Sequence, residues 1–184
     1  MAEDHRAEED TGQRFPGVHW VRWNHAAAER YPELEQAIER FDPGPRPAAQ
    51  ASATWLREQG LNGESIPYLL IEDGKLLGFY ALTAGQVELS GGHRKRLGLA
   101  RPTQGAVLLT QLAKSAAHEV DGGRLVEDAI GVASELAQRM GATVLAVDPF
   151  DEATDQMWQK RFQLRPSRTA VPGHPELKRL YAPL

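Results

Sequence analysis

The sequence predicts an α/β protein in which a mixed β-sheet is flanked by helices. Three observations carry this. Residues 105–148 read as a strand, a short loop, a helix and a second strand. Residues 67–89 read as a β-hairpin turning at Asp73-Gly74, a dipeptide suited to a two-residue turn between strands. Helical periodicity appears on both sides of these segments, in residues 32–59 and 151–161.

Taken in order, residues 1–14 are expected to be a disordered acidic tail. They hold Glu3, Asp4, Glu8, Glu9 and Asp10 against Arg6 and Arg14, with no aliphatic periodicity. One domain is expected over 15–184. His19–Trp23 suits a first strand, with Trp20 and Arg22 opposite Val21 and Trp23. Pro32 opens a helix whose Leu34, Ala37, Ile38 and Phe41 fall at i, i+3, i+4 and i+7, and Asp42-Pro43-Gly44 ends it. A second helix runs from about Ala48 to Gln59, anchored by Trp55 and Leu56 and stopped by Gly60. The hairpin follows, with Pro67–Glu72 and Leu76–Leu89 as its arms. Residues 90–104 form a polar, basic connection.

Val107–Ala113 is apolar and long enough for a buried strand. After a polar, Gly-containing loop, Leu125, Ala129, Ala133, Leu136 or Ala137, and Met140 recur at helical spacing. Arg139 in the last turn and Gly141 after it form a helix stop. Thr143–Val147 is a second apolar strand. Asp151 is placed to cap a helix through about Arg161, with Thr154, Trp158 and Phe162 inward, and Leu177–Ala182 is the last strand.

Composition excludes several classes. Cysteine is absent, so there is no disulfide, thiol nucleophile or thiolate zinc site, in keeping with a cytoplasmic protein. No metal centre is expected. No run approaches the ~18 apolar residues of a membrane span. The net charge of −4 leaves room for local basic patches. Gly122 and Gly123 at a helix N-terminus can present unpaired N–H groups to a phosphate, or can serve only to pack the helix against the sheet.

The order of elements and several local strings resemble the GNAT acyl-CoA N-acyltransferases, and among them the toxin-like branch that acetylates aminoacyl-tRNA. Phe41-Asp42 with Gly44, then Trp55-Leu56, resemble that branch's opening. Asp73-Gly74, Leu77–Leu82, Gly85 and Val87 resemble its hairpin, and Leu108-Leu109 with Leu112-Ala113 its central strand. Leu125, Asp128 and Ala129 match the helix that follows the pyrophosphate loop. Phe162, Pro166, Ser167 and the final Pro183-Leu184 match the C-terminal segment. The match spans about residues 34–184.

The resemblance implies a mixed, mostly antiparallel sheet and an acetyl-CoA co-substrate lying where the strands Val107–Ala113 and Thr143–Val147 splay apart. The coenzyme residues it implies are Leu112, Ala113 and Lys114 on the strand, and His118, Val120, Asp121, Gly122, Gly123 and Arg124 around the loop. The acceptor is an amine, with aminoacyl-tRNA as one candidate and a small molecule as another. Arg94, Lys95, Arg96 and Arg101, joined by Arg161, Arg165 and Arg168, would face RNA phosphates, or would be a solvated loop. A homodimer and an antitoxin partner are further implications.

The chain departs from the family pattern twice. The loop is about two residues shorter, Val120 stands where glycine is usual, and Glu119 and Asp121 place carboxylates near a pyrophosphate. The tyrosine credited with protonating the thiolate falls on Gln159, which can donate a hydrogen bond but cannot release a proton. Asp148, at the mouth of the splay, is then the candidate proton acceptor, its alternative being a strand-end turn carboxylate. Trp158 is read as core. A GNAT-fold binding module without activity is the competing reading.

Overall fold

The computed structural model describes residues 17–184; the acidic tail expected over 1–14 lies outside them. Its strands are β1 (Val18–Arg22), β2 (Ile66–Glu72), β3 (Lys75–Glu88), β4 (Thr103–Lys114), β5 (Val144–Val147), β6 (Arg165–Val171) and β7 (His174–Pro183). Its helices are α1 (His25–Arg30), α2 (Glu33–Glu39), α3 (Pro47–Gln59), α4 (Gly91–Arg96), α5 (Gly122–Met140) and α6 (Glu152–Phe162). The strands form one sheet in the order β1-β2-β3-β4-β5-β7-β6. Only the β4–β5 pair is parallel. Three elements are additions to the sequence reading: α1, the short helix α4 inside the basic connection, and β6, which pairs with β7 across Pro172-Gly173.

The hairpin glycines each have a separate physical reason. Asp73 and Gly74 both have positive φ, 49° and 75°, as a two-residue turn with the twist of the flanking strands requires. A Cβ on Gly78 would lie 2.9 Å from Leu125 Cδ1 and 3.0 Å from the Ala113 carbonyl oxygen, so glycine lets α5 close on β3. At Gly85 the space is filled by Leu108, whose Cδ1 would be 1.5 Å from an added Cβ.

One sheet face receives α5 and α6. Leu82, Val107, Leu109, Leu145, Val147 and Leu180 meet Val126, Ala129 and Ala133 of α5 and Trp158 of α6. Alanines on the inner face of α5 keep the helix close to the strands. Trp158 is core, as read from its spacing, whereas Met140 at the end of the periodic face is exposed. The opposite face is covered by α1–α3 at one end, through Trp23, Leu34, Phe41 and Leu56. At the other end, Val87, Leu89, Ala106, Leu108 and Tyr181 pack with Leu97 and Leu99 beyond α4.

The helix ends follow capping chemistry. Asn24, Ser90, Asp121 and Asp151 accept from N–H groups of the turns they open. Gly141 closes α5 in the left-handed region. Gln163 closes α6 in the same conformation, φ 58°, where a Cβ costs about 1 kcal/mol. Gln163→Gly is therefore expected to stabilise the protein by roughly 0.5–1 kcal/mol, a rise of about 1–4 °C in thermal midpoint.

Candidate active site

The parallel pair β4–β5 is short. It runs from Ala106 opposite Val144 to Leu109 opposite Val147. Beyond Leu109, β4 continues to Lys114, paired only with β3. Thr110 is an extra residue in that pairing, because Gln111 faces Ala81 and Leu109 faces Leu82. Its hydroxyl lies 3.3 Å from the Ala81 oxygen and 3.2 Å from Ser65 Oγ. Such a bulge bends a strand and increases its twist, and here it stands where β4 leaves β5. The splay implied by the resemblance is present, and among the described residues no strand pairs with 110–114 on the β5 side. Leu112 is partly buried, Ala113 is buried beneath α1–α3, and Lys114 is exposed.

The loop between β4 and α5 is tied down along its length. Ser115 donates its backbone N–H to the Leu77 oxygen at 2.7 Å, and Ala116 to the Asp42 oxygen at 2.9 Å. This second bond joins the loop to the Phe41–Gly44 turn. Lys114 Nζ donates to the Val120 oxygen at 3.0 Å. Val120 is buried with Leu70, Leu77 and Leu125. An apolar residue in the middle of the loop thus anchors it to the core.

Asp121 is the N-cap of α5. Its Oδ1 accepts from Gly123 N–H at 2.9 Å and from Arg161 Nη2 at 3.3 Å. The carboxylate occupies part of the helix N-terminus at which a pyrophosphate would be held. Arg161 and Asp121 are both largely exposed, 58% and 74% of their side chains, so their pairing adds little stability. His118 is partly exposed, Gly122 and Gly123 form the first turn, and Glu119 and Arg124 are exposed. The structure brings all the sequence-predicted coenzyme residues to one end of β4 and α5, with an internal carboxylate at the centre.

Asp148 stands just past β5, at the mouth of the splay. Both of its oxygens accept from Arg179 of β7, from Nε at 2.7 Å and from Nη2 at 2.6 Å. Arg179 Nη1 also reaches the Gln86 oxygen on β3 at 2.8 Å. The side chains are 26% and 12% exposed, so this two-pronged ion pair is largely shielded from water. It clamps β5, β7 and β3 together. Sequence reading missed Arg179; the signal was a charged residue two positions before Tyr181 in a strand, and hence on the same buried face.

Gln159 lies on α6 beside the core residue Trp158 and donates to Asp155 Oδ2 at 2.6 Å. The hydrogen-bonding role expected for it is taken up by its own helix. The basic run divides by partner. Arg94 Nη1 closes the loop after α4 by donating to the Ala100 oxygen at 2.8 Å. Lys95, Arg96 and Arg101 are exposed. Arg161 goes to Asp121, while Arg168 is 3.7 Å from Glu88.

A second buried polar pair lies under α5. Tyr80 donates to Asp128 Oδ2 at 2.5 Å, stacks on Tyr68 at 5.1 Å and meets the edge of Trp20 at 5.3 Å. Burial first, then the hydrogen bond to Asp128 and its negative charge, push the Tyr80 phenol far above its ordinary value. Among the described residues no cluster of His, Asp and Glu could hold a metal ion, and no helix is long and apolar enough to cross a membrane.

No protein-family model and no curated protein matches the sequence. Solved structures do match in shape. A tyrosine-to-phenylalanine mutant of KacT superposes with a TM-score of 0.69 at 18% identity, covering 91% of this chain and 95% of that one. AtaT complexed with acetyl-methionyl-tRNAfMet gives 0.65 at 19%, covering 90% and 94%. AtaTR bound with acetyl-CoA gives 0.62 at 19%, covering 91% and 94%. The mixed sheet, its parallel β4–β5 pair among the described residues and these superpositions agree: the chain has the GNAT-like fold shared by KacT and AtaT.

Proposed function

We propose that the protein is an acetyl-CoA-dependent N-acetyltransferase acting on an amine acceptor. The observation that carries this is the splay: β4 offers an unpaired edge over 110–114, on which the pantetheine arm can lie like an added strand. The amine attacks the thioester carbonyl, the carbon–sulfur bond breaks, and the coenzyme leaves as a thiolate that takes up a proton. Positioning in the splay carries most of the acceleration. Leu112, Ala113 and Lys114 hold the arm, and His118, Val120, Gly122, Gly123 and Arg124 surround the phosphates. Asp148 receives the amine proton on the lone pairs that Arg179 leaves open. Gln159 orients the thioester end once released from Asp155.

Aminoacyl-tRNA is the proposed acceptor, supported by the fold shared with AtaT complexed with acetyl-methionyl-tRNAfMet and by the exposed cations Lys95, Arg96 and Arg101, with Arg94 bracing their loop. A cytoplasmic location, a homodimer and an antitoxin partner belong to the same reading; structural neighbours include AtaT bound to the C-terminus of the antitoxin AtaR.

One observation favours a second reading, a binding module with impaired catalysis: Asp121 sits on the α5 N-terminus and Val120 is locked into the core. Thermal melts with acetyl-CoA separate the two. Ligand at 100 times its Kd adds about 2.7 kcal/mol of stability, so millimolar acetyl-CoA should raise the melting temperature if Kd is micromolar. No shift at millimolar coenzyme would support the module. Asp121→Asn keeps the helix cap but removes the charge. It is expected to tighten coenzyme binding about 3- to 5-fold at low salt, less at high salt.

A further inference from the structure

A cavity of about 350 Å³ opens where α4 and the end of α6 meet the β6–β7 pair. It lies beside the rows where Val144 meets Pro183, Leu145 meets Ala182 and Ala146 meets Tyr181, whereas the splay begins past Val147. Its wall is built by α4, the end of α6 and the β6–β7 pair. Arg96 and Arg165 line it, with His93, Leu97, Phe162 and Tyr181, and no acidic residue does. Neither arginine has an ion-pair partner among the described residues. His93 lies against the Tyr181 ring at 5.7 Å, and its Nδ1 is buried with no hydrogen-bond partner in the structure. Burial raises the Tyr181 phenol, and the Arg165 and Arg96 charges oppose that rise; all three residues line the same cavity. A second hollow of about 300 Å³ shares Leu97 and Pro183 with the first and continues over Leu99 and Leu184.

The chemistry has two halves. One presents two unpaired guanidiniums and a phenol from three different elements. A carboxylate is served by one arginine fork; two forks with further polar groups suit the greater charge and the additional oxygens of a phosphate. The other half is a wall of Leu97 and Phe162 that suits a flat, apolar body. The size falls at the low end of small-molecule sites, roughly 300–1,000 Å³, which favours a single compact ligand over a peptide. We propose that this cavity binds a small organic phosphate, a phosphate joined to a flat body, of which a nucleoside monophosphate is the simplest example. The nucleotide is either free or the end of an RNA strand. The site does not depend on acetyl transfer and would persist in an inactive binding module.

The test is calorimetric titration of the full chain with AMP, adenosine, inorganic phosphate and benzoate, and with a 5′-phosphorylated oligoadenylate. AMP is expected to bind at least tenfold more tightly than adenosine or benzoate. Arg96→Gln and Arg165→Gln should each weaken it about tenfold, with unchanged thermal melts because both side chains are exposed. Leu97→Ala should weaken AMP without affecting inorganic phosphate. Affinity rising with oligonucleotide length assigns the site to RNA; equal or tighter binding of AMP assigns it to a free nucleotide. AMP affinity that changes with Asp121→Asn but not with the arginine substitutions would place the nucleotide at α5 and overturn the proposal. So would benzoate binding as tightly as AMP, or no AMP binding at millimolar concentration.

Discussion

Asp148→Asn is expected to damage both stability and turnover, and the two losses can be separated. The substitution leaves the Arg179 guanidinium, 12% exposed, without its charged partner. Breaking a fully buried pair costs about 3–5 kcal/mol; the partial exposure of Asp148 brings the expectation here to roughly 2–3 kcal/mol, read from urea unfolding. If Asp148 also accepts the amine proton, turnover should fall by about 10²–10⁴-fold, with a much smaller change in coenzyme affinity. A double variant, Asp148→Asn with Arg179→Met, removes the stranded charge and should recover much of the lost stability. Turnover that stays low in the double variant marks Asp148 as the acceptor. Recovery of stability and turnover together would make the ion pair a structural clamp and remove Asp148 from the chemistry. Gln159→Tyr is the companion measurement: it restores an acidic hydroxyl on α6 and should preserve or raise turnover if the family geometry holds.

Tyr80→Phe is expected to lower stability at neutral pH by about 1.5–3 kcal/mol, since a hydrogen bond to a carboxylate is lost and Asp128 remains partly buried. For a chain of this size that is a fall of roughly 4–10 °C. The pH dependence has a definite sign. The Tyr80 phenol is held above its ordinary value by burial, by its bond to Asp128 and by the Asp128 charge. Its contribution is therefore fully present below about pH 10, the unfolded value. Above that pH the unfolded chain loses the proton while the folded protein keeps it, so stability falls as pH rises. Unfolding measured between pH 8 and 11.5 should show a steep alkaline limb in the wild type and a shallower one in Tyr80→Phe. Tyr68 and Tyr181, also raised by burial, leave a residual slope. A variant within about 0.5 kcal/mol of wild type, with the same alkaline limb, would show that the Tyr80–Asp128 bond adds nothing.

The elements legible in the sequence were those set by local chemistry. Asp73-Gly74 specifies a tight turn through positive φ; Leu125, Ala129 and Ala133 specify one face of a helix by period; Gly141 ends that helix because it accepts the left-handed region. The apolar runs over Val107–Ala113 and Thr143–Val147 mark strands whatever their neighbours. Those signals, with the order of elements, were sufficient for a mixed sheet flanked by helices; the splay at the end of β4 came only from the resemblance. β6 was not legible, because Arg165–Val171 lacks a clear apolar alternation and becomes a strand only by pairing with β7. Nor was α4, whose six residues are held by the Ser90 cap and by packing around Tyr181.

The charges were decided by tertiary structure. The resemblance placed Asp121 near a phosphate loop and Asp148 near the splay, but a carboxylate's role depends on which cation arrives from a distant strand or helix. Arg161 reaches Asp121 and Arg179 reaches Asp148 across separations of 40 and 31 residues. The same holds for Arg96 and Arg165, which come together at one cavity only because α4 and β6 meet at the end of the sheet. Side-chain electrostatics act through space over a few ångströms, and only the folded chain determines which residues lie that close.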